Sequence, residues 1–551
     1  MANKNRPKTP LDIYETQHLD PYHEQLRLWS RPPGLALFAV MTAFERVSRD
    51  AQREMLWQIR ESTNLMWNSY SNGLSVAVRW FCGRQRPIDA IPTNDEALLA
   101  EGLEFLDHCY EYAVLEDLHK AVRRGLLKAS VNETTKTVRF EALPHLDAGL
   151  TLLGLSERAT VAKKKENDNR DKLYQLIEAS GDSFRAVKHH TEDGMVVVDE
   201  VTDLKRPELA AFSKLTTPQF DYGFPAEQEM CGFTLGTYER VWQALVTWSW
   251  FAQISFLRPD ISHIASPVQV VRQSEFIQRM LILTDLPPTD LEAVLSWMRY
   301  GHELDRPNLW NQPLVWGNEM VAWSPTVVVQ GKHIRSLLKL MARSAQWSDT
   351  TATLIGSREG AMLRDFGQLL GQYGYDFKLR TDFNDGKPGD IDLLAFNRKH
   401  DEEVLVVEGK ATLDVDDVNE IHEFTKTLLY ARDSQVKRAI DWLKNSPETV
   451  KKQVIKFVPW GFVKHYYGLI ISPESHPDSS YDHSVVPAIS LPSLKANLRA
   501  NDLRKPSSIW RACKDRKWFQ TAHKVSDQYN TIVVGDVRYE VPRAEFASAS
   551  H

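Results

Sequence analysis

Two apolar runs, DIDLLAF at residues 390–396 and EEVLVVEGKATL at 402–413, carry Asp390, Asp392, Glu408 and Lys410 among side chains that read as buried β-strands. Strands that are apolar on both faces belong to a sheet covered on both sides, so the fold must bury these segments and still accommodate charge. The intervening NRKHD suits a hairpin loop. Side chains alternate along a strand, which places Glu408 and Lys410 on one face and Val407 and Gly409 on the other. Hairpin pairing then brings Asp392 beside Glu408.

Two neighbouring carboxylates repel and lose hydration unless something positive sits between them. A hard divalent cation, Mg²⁺ or Mn²⁺, suits that role, with Asp392, Glu408 and the Gly409 carbonyl as its ligands. Such an ion would polarise a phosphodiester and acidify a bound water, while Lys410 orients that water and stabilises charge developing in the transition state. An exposed hairpin with cross-strand ion pairs would carry similar residues.

The flanking segments have a definite order. In REGAMLRDFGQLLGQYGYDF, Leu363, Phe366, Leu370 and Tyr373 form one helical stripe that Gly374 ends. The strand YDFKLRTDF, the turn NDGKPG, the two strands above, a helix SQVKRAIDWLKN, two strands YYGLIISPE and VVPAIS, and a helix opening at LPSLKANL follow. The residues PGDIDLLAF and VLVVEGKA within this order resemble the PD-(D/E)xK nuclease superfamily, and are similar to its Holliday-junction-resolvase-like and Mrr-like restriction endonuclease domains. The resemblance implies an α-β-β-β-α-β core, with Asp392 and Glu408 as metal ligands and Lys410 as the catalytic lysine. It further implies a carboxylate on the first core helix, Glu359 with Asp365 as the alternative, and auxiliary roles for Asp390, on the face of Asp392, and for Gln435. The tyrosine that follows that glutamine in exonuclease relatives is replaced by Ala439.

A chain of 551 residues exceeds one compact core. The pattern predicts a multidomain protein: a mainly α N-terminal part (1–178), a mixed α+β middle (179–345), a C-terminal α/β restriction-endonuclease-like core with a central mixed sheet (346–500), and a basic extension and tail (501–551). Helices are expected at LALFAVMTAFERVSRDAQREMLWQI, DEALLAEGLEFLDHCYEYAVLEDLHKAVRRGLL, YERVWQALVTWSWFAQI and DLEAVLSWMRYG. A hairpin is expected at GLLKASVNETTKTVRFEA, compatible with the wing of a winged helix, and strands at GMVVVDEV and PTVVVQG. The Trp-rich helix with Trp242, Trp248 and Trp250 reads as core packing before base stacking. His189 and His190 read as a loop, the charge run ERATVAKKKENDNRDKL as a solvated face or hinge, and RAEFASASH as a frayed tail.

The four cysteines are scattered, which signals neither a zinc site nor a disulfide framework. With no long apolar run and no apolar leader, a cytoplasmic protein without membrane association is expected. A net charge of −6 excludes a globally basic coat but not local patches. LKANLRANDLRKPSSIWRACKDRKW supplies one, with Arg504, Lys505, Arg511 and Lys514 as expected nucleic-acid contacts. The expected function is that of a Mg²⁺- or Mn²⁺-dependent endonuclease acting on DNA, with RNA left open, as an effector of restriction or antiphage defence; a partner protein or homo-oligomer fits that role. The alternatives are a degenerate nuclease fold serving as a binding or assembly module, and a transposition or repair nuclease that needs a partner.

Overall fold

The computed structural model describes residues 9–57, 62–84, 95–125, 127–142, 183–216, 223–256, 266–302, 307–384, 388–413, 418–473, 481–515 and 523–546, apart from a few single positions within them. The charge run at 157–173, the boundary near 178 and the last five residues lie outside these. The chain forms two compact units, one of residues 1–116, 168–351 and 533–537, the other of 117–167, 352–532 and 538–551.

The first unit is mainly helical. Its helices Pro33–Trp57, Leu235–Phe256 and Pro288–Met298 fall where apolar periodicity places them. Trp242 and Trp248 are fully buried, so the Trp-rich helix is core rather than a stacking platform. His189–Glu192 is a strand paired with Met195–Val198, not a loop. His190 bonds Asp199 at 2.7 Å while His189 turns to the Val187 carbonyl, the opposed directions that a strand imposes on neighbours.

PTVVVQG is a helix, Pro325–Gln330, not a strand. Capping overrides the β-branched run: Ser324 caps the helix by accepting from the Val327 N–H, and Pro325 stands in its first turn. The buried Glu45 carboxylate accepts from the Ser324 hydroxyl, from the Thr326 N–H at 2.9 Å and from the Thr326 hydroxyl at 2.6 Å. Ser324→Ala removes a cap and a donor to a buried carboxylate, and is expected to cost about 2 kcal/mol in a denaturant titration.

The second unit holds two sheets. In one, strands β1 (Leu127–Asn132) and β2 (Thr137–Ala142) form the expected hairpin. Its other two strands are contributed by the C-terminal segment. The central sheet contains β3 (Tyr375–Asn384), β4 (Pro388–Asn397), β5 (Glu403–Gly409), β6 (His465–Ser472) and β7 (Ala488–Ser490), in the order β7-β6-β5-β4-β3. β3, β4 and β5 are antiparallel neighbours, while β5, β6 and β7 run parallel, so the sheet is mixed as expected. Helix α1 (Ser348–Gly371) precedes β3, and Gly374, at a φ of 86°, turns the chain into that strand.

Between β5 and β6 lie α2 (Val418–Tyr430), a π-helical stretch at Ala431–Val436, α3 (Lys437–Asn445) and α4 (Glu448–Val454). After β7 come α5 (Leu491–Asn497) and α6 (Pro506–Asp515). Helix α1 with α5 and α6 buries one face of the sheet against Leu393, Ala395, Leu405, Val407, Leu469 and Ile471. On the other, α3 covers Leu394, Phe396, Val404 and Val406. Residues 501–515 are therefore not a tail: Leu503, Ile509 and Cys513 belong to this core.

Nor does the end of the chain fray where expected. β8 (His523–Val534) and β9 (Val537–Phe546) complete the sheet of β1 and β2 in the order β1-β2-β9-β8. β9 lies parallel to β2, pairing Tyr539 with Val138, and Arg139 reaches Glu540 at 2.6 Å. The hairpin at 127–142 is thus one half of a four-stranded sheet, β1 at its edge and β2 inside, rather than a free wing.

Candidate active site

The register of β4 and β5 pairs Val407 with Leu393, and one step further sets Glu408 opposite Asp392. Both carboxylates are buried, Asp392 at 9% and Glu408 at 3% exposure, among strands that are otherwise hydrocarbon. Lys410 follows β5 and stays in line because its N–H donates to the Ile471 carbonyl of β6 at 2.8 Å. Its Nζ donates to Glu408 Oε1 at 2.5 Å, and the Gly409 N–H donates to Asp392 Oδ2 at 2.8 Å.

Glu359, in the middle of α1, arrives from the helix side. Its Oε2 accepts from the Ala411 N–H at 2.9 Å, just beyond Lys410. Its Cγ would stand 2.9 Å from a Cβ at position 409, and Leu363 Cδ1 at 3.0 Å. Glycine at 409 is what admits the helix carboxylate to the strand end. Gly409→Ala is expected to destabilise the protein by about 1–3 kcal/mol through overpacking, and to displace Glu359. Thermal unfolding checks the first effect. Asp365, the alternative helix carboxylate, instead bonds Lys495 at 2.6 Å in an exposed pair away from these groups.

The electrostatics are those of crowded negative charge. Burial, then the Asp392 charge, push the Glu408 carboxyl up to about 8. Burial likewise raises Asp392 and Glu359 above the ordinary carboxylate range, against the Gly409 and Ala411 N–H groups that favour their charged forms. For Lys410 burial opposes the charge, yet attraction from Glu408, Glu359 and Asp392 outweighs it and raises the ammonium above its usual value. Two buried carboxylates and the half-buried Glu359 around one ammonium leave a negative excess that a cation would neutralise.

The donor chemistry fits Mg²⁺ or Mn²⁺: hard carboxylate oxygens from Asp392 and Glu408, each with its second oxygen outside the bonds above, and the Gly409 carbonyl beside them. Among the described residues no three His, Cys, Asp or Glu side chains are gathered as a metal-holding group. A cation here would take waters or substrate oxygens for its remaining positions.

The remaining expected residues divide. Gln435 lies in the π-helical stretch, which packs on β4, β5 and β6, and its Oε1 is buried without a hydrogen-bond partner. A π-turn at such a place is a frequent mark of function. Asp390 is exposed, and the expectation that simple alternation aligns it with Asp392 does not hold. Ile391 packs with Leu394 and Phe396 on one face, while Leu393 and Ala395 lie on the other, so the alternation changes phase at Asp392. The Asp390 charge still reaches Asp392 and adds to its rise.

Arg504, Lys505, Arg511 and Lys514 are exposed but do not converge on this site. The Arg504 carbonyl accepts from Asn397 at the end of β4, and the Ser507 N–H donates to Glu403 at the start of β5. From there to Glu408 is roughly 16 Å of strand. Lys514 Nζ sits 4.9 Å from the Trp510 ring centre, and Trp510 stands against Tyr467. Arg516 and Lys517 lie outside the described residues.

The sequence pattern gave no sign of Arg380, whose charge acts on Glu359 from β3. Its position became visible only with the backbone, for its φ of 44° breaks the strand alternation that would have located it. No helix among the described residues is long and apolar enough to cross a membrane. No family model, no curated protein and no solved structure matches the chain.

Proposed function

We propose that the chain is a divalent-cation-dependent hydrolase of nucleic-acid phosphodiester bonds, acting on DNA as an endonuclease. The observation that carries this reading is the meeting of Glu359, Asp392, Glu408 and Lys410 from one helix and two strands at one end of a mixed sheet. An exposed hairpin of surface ion pairs would not bury its carboxylates or draw in a third from a helix.

Asp392, Glu408 and the Gly409 carbonyl would hold the cation, which when bound polarises the phosphate and lowers the pKa of a water. The residues of the chain do the rest. Glu408, whose carboxyl burial keeps protonated, would release that proton to solvent when a cation is held beside it. Lys410 is kept charged by its carboxylate neighbours and aims Nζ–H donors at oxygens that gain charge as the phosphate is attacked. Glu359, tethered by the Ala411 N–H, positions the turn that carries Lys410. The order of elements and the Asp392, Glu408 and Lys410 pattern support membership of a restriction-endonuclease-like fold, and a defence effector is the role this reading favours.

Supercoiled plasmid incubated with the full chain and Mg²⁺ or Mn²⁺ tests the proposal. Nicking or linearisation that requires the cation and disappears in Asp392→Asn is the expected result. Intact plasmid across both cations and a range of sequences removes the hydrolase reading.

A further inference from the structure

The backbone of the central sheet is least regular beside the candidate site. Ladder pairs run from Tyr375–Asn397 to Leu379–Leu393 and resume at Thr381–Ile391, leaving out Arg380 and Asp392. On both strands the pleat changes phase at that step: Phe377 and Leu379 pack on the α1 face and Phe383 on the other, as Leu393 and Ile391 do. Arg380 has a φ of 44°, in a left-handed region that glycine, asparagine or aspartate occupies more easily. An arginine there calls for a reason outside backbone preference.

The side chain supplies one. Arg380 is exposed and leans over α1, where a Cβ at Gly360 would lie 3.8 Å from its Nη2 and 3.7 Å from Arg364 Nη1. Two guanidinium groups therefore close on one point, next in sequence to Glu359. Among the described residues neither Arg364 nor Arg380 makes a hydrogen bond or an ion pair, although like charges brought together gain from an anion between them. Gly360 has no side chain to fill the space. Lack of a partner alone does not set these two apart, for among the described residues Arg504 and Arg511 are exposed without an ion pair while Arg398 and Arg139 are matched by Asp376 and Glu540; the convergence on Gly360 does.

We infer that Arg364 and Arg380 form a phosphate clamp that grips the backbone of a nucleic-acid strand alongside the bond presented to Lys410. The inference rests on the proposed reading of the site as a phosphodiester hydrolase, and assigns its substrate grip to α1 and β3 rather than to the basic segment at 504–514. Guanidinium forks match phosphate oxygens in pairs, so two of them hold a strand in register without reading bases.

Binding of a fluorescein-labelled duplex to the full chain is measured in EDTA, where no cutting occurs, across a salt series. The Arg364→Glu, Arg380→Glu double variant is expected to weaken binding at least tenfold and to flatten the log–log salt dependence by about two contacts' worth. Arg380→Gly should weaken binding while holding or raising the thermal midpoint, because glycine suits that backbone; a structural arginine would show the reverse. Arg504→Glu with Lys505→Glu serves as the distant comparison and should change affinity less.

Equal affinity and slope in wild type and the double variant overturn the inference, as does a wild-type protein that does not bind the duplex. The plasmid assay keeps the two proposals apart. Plasmid cutting unchanged in the double variant overturns the clamp and leaves the hydrolase standing. Duplex binding that depends on both arginines, from a protein that never cuts, leaves the clamp standing and removes the hydrolase.

Discussion

Lys410→Ala is expected to lower cation-dependent plasmid cutting by about 10³-fold or more while manganese still binds. Among the described residues the lysine is the one positive side chain bonded to the carboxylate group, at 2.5 Å from Glu408 Oε1. Its ammonium is held charged by Glu408, Glu359 and Asp392. In the reaction, charge moves onto phosphate oxygens, and an ammonium already oriented there interacts more strongly with the transition state than with the bound substrate. Alanine removes that difference and leaves the cation's ligands in place. A fall in kcat with calorimetric manganese uptake retained is therefore the expected signature. Loss of both would assign Lys410 to ion binding, and unchanged cutting would remove it from the chemistry.

Glu408→Gln is expected to stabilise the fold at alkaline pH while abolishing cutting. In the folded chain this carboxyl holds its proton up to about 8, against an ordinary value of 4.5. A folded-state value above the unfolded one means that the native protein binds more protons between those limits. Stability contributed at this position is therefore complete below about 4.5, declines as pH rises through the window and levels off above about 8. Glutamine keeps the shape and never ionises, so at pH 9 the variant should exceed the wild type by roughly 3 kcal/mol. Below pH 4 the two should converge. Denaturant titrations at pH 4, 7 and 9 check the sign: a variant weaker than wild type at pH 9 would mean that the Lys410 ion pair outweighs burial. Saturating Mn²⁺ should narrow the gap by stabilising ionised Glu408 in the wild type alone.

Much of the central sheet was legible because its signals are local. Apolar runs, a five-residue loop and a closing glycine identified β3 to β5, and hairpin geometry then placed Asp392 against Glu408. The same rules went astray where a longer-range effect governed. Val327–Val329 have strand propensity, yet Ser324, Pro325 and the carboxylate of Glu45, far away in sequence, fix a helix start. Asp390 was aligned with Asp392 on the assumption of unbroken alternation, and the phase change at Arg380 removes that assumption. The basic run at 504–514 looked like a binding surface because charge density is visible in sequence. Its distance along β5 from Glu408 is not, and nor is the burial of Ile509 and Cys513 between its charges. Spacing along the helix does not choose between Glu359 and Asp365; the Cβ-free approach at Gly409 is what separates them.

The parallel pairing of β9 with β2 also sets a timetable for synthesis. Glu540 lies 401 positions after Arg139, and that stretch must be translated before β2 meets its neighbour, a delay on the order of 20–80 s on the ribosome. Through that interval β2 offers an unmatched edge to any extended segment nearby, including those of other nascent chains. The strands of the central sheet lie between the two halves in the chain and emerge before β8 and β9, so that hairpin acts as the closing stitch of a sheet begun far upstream.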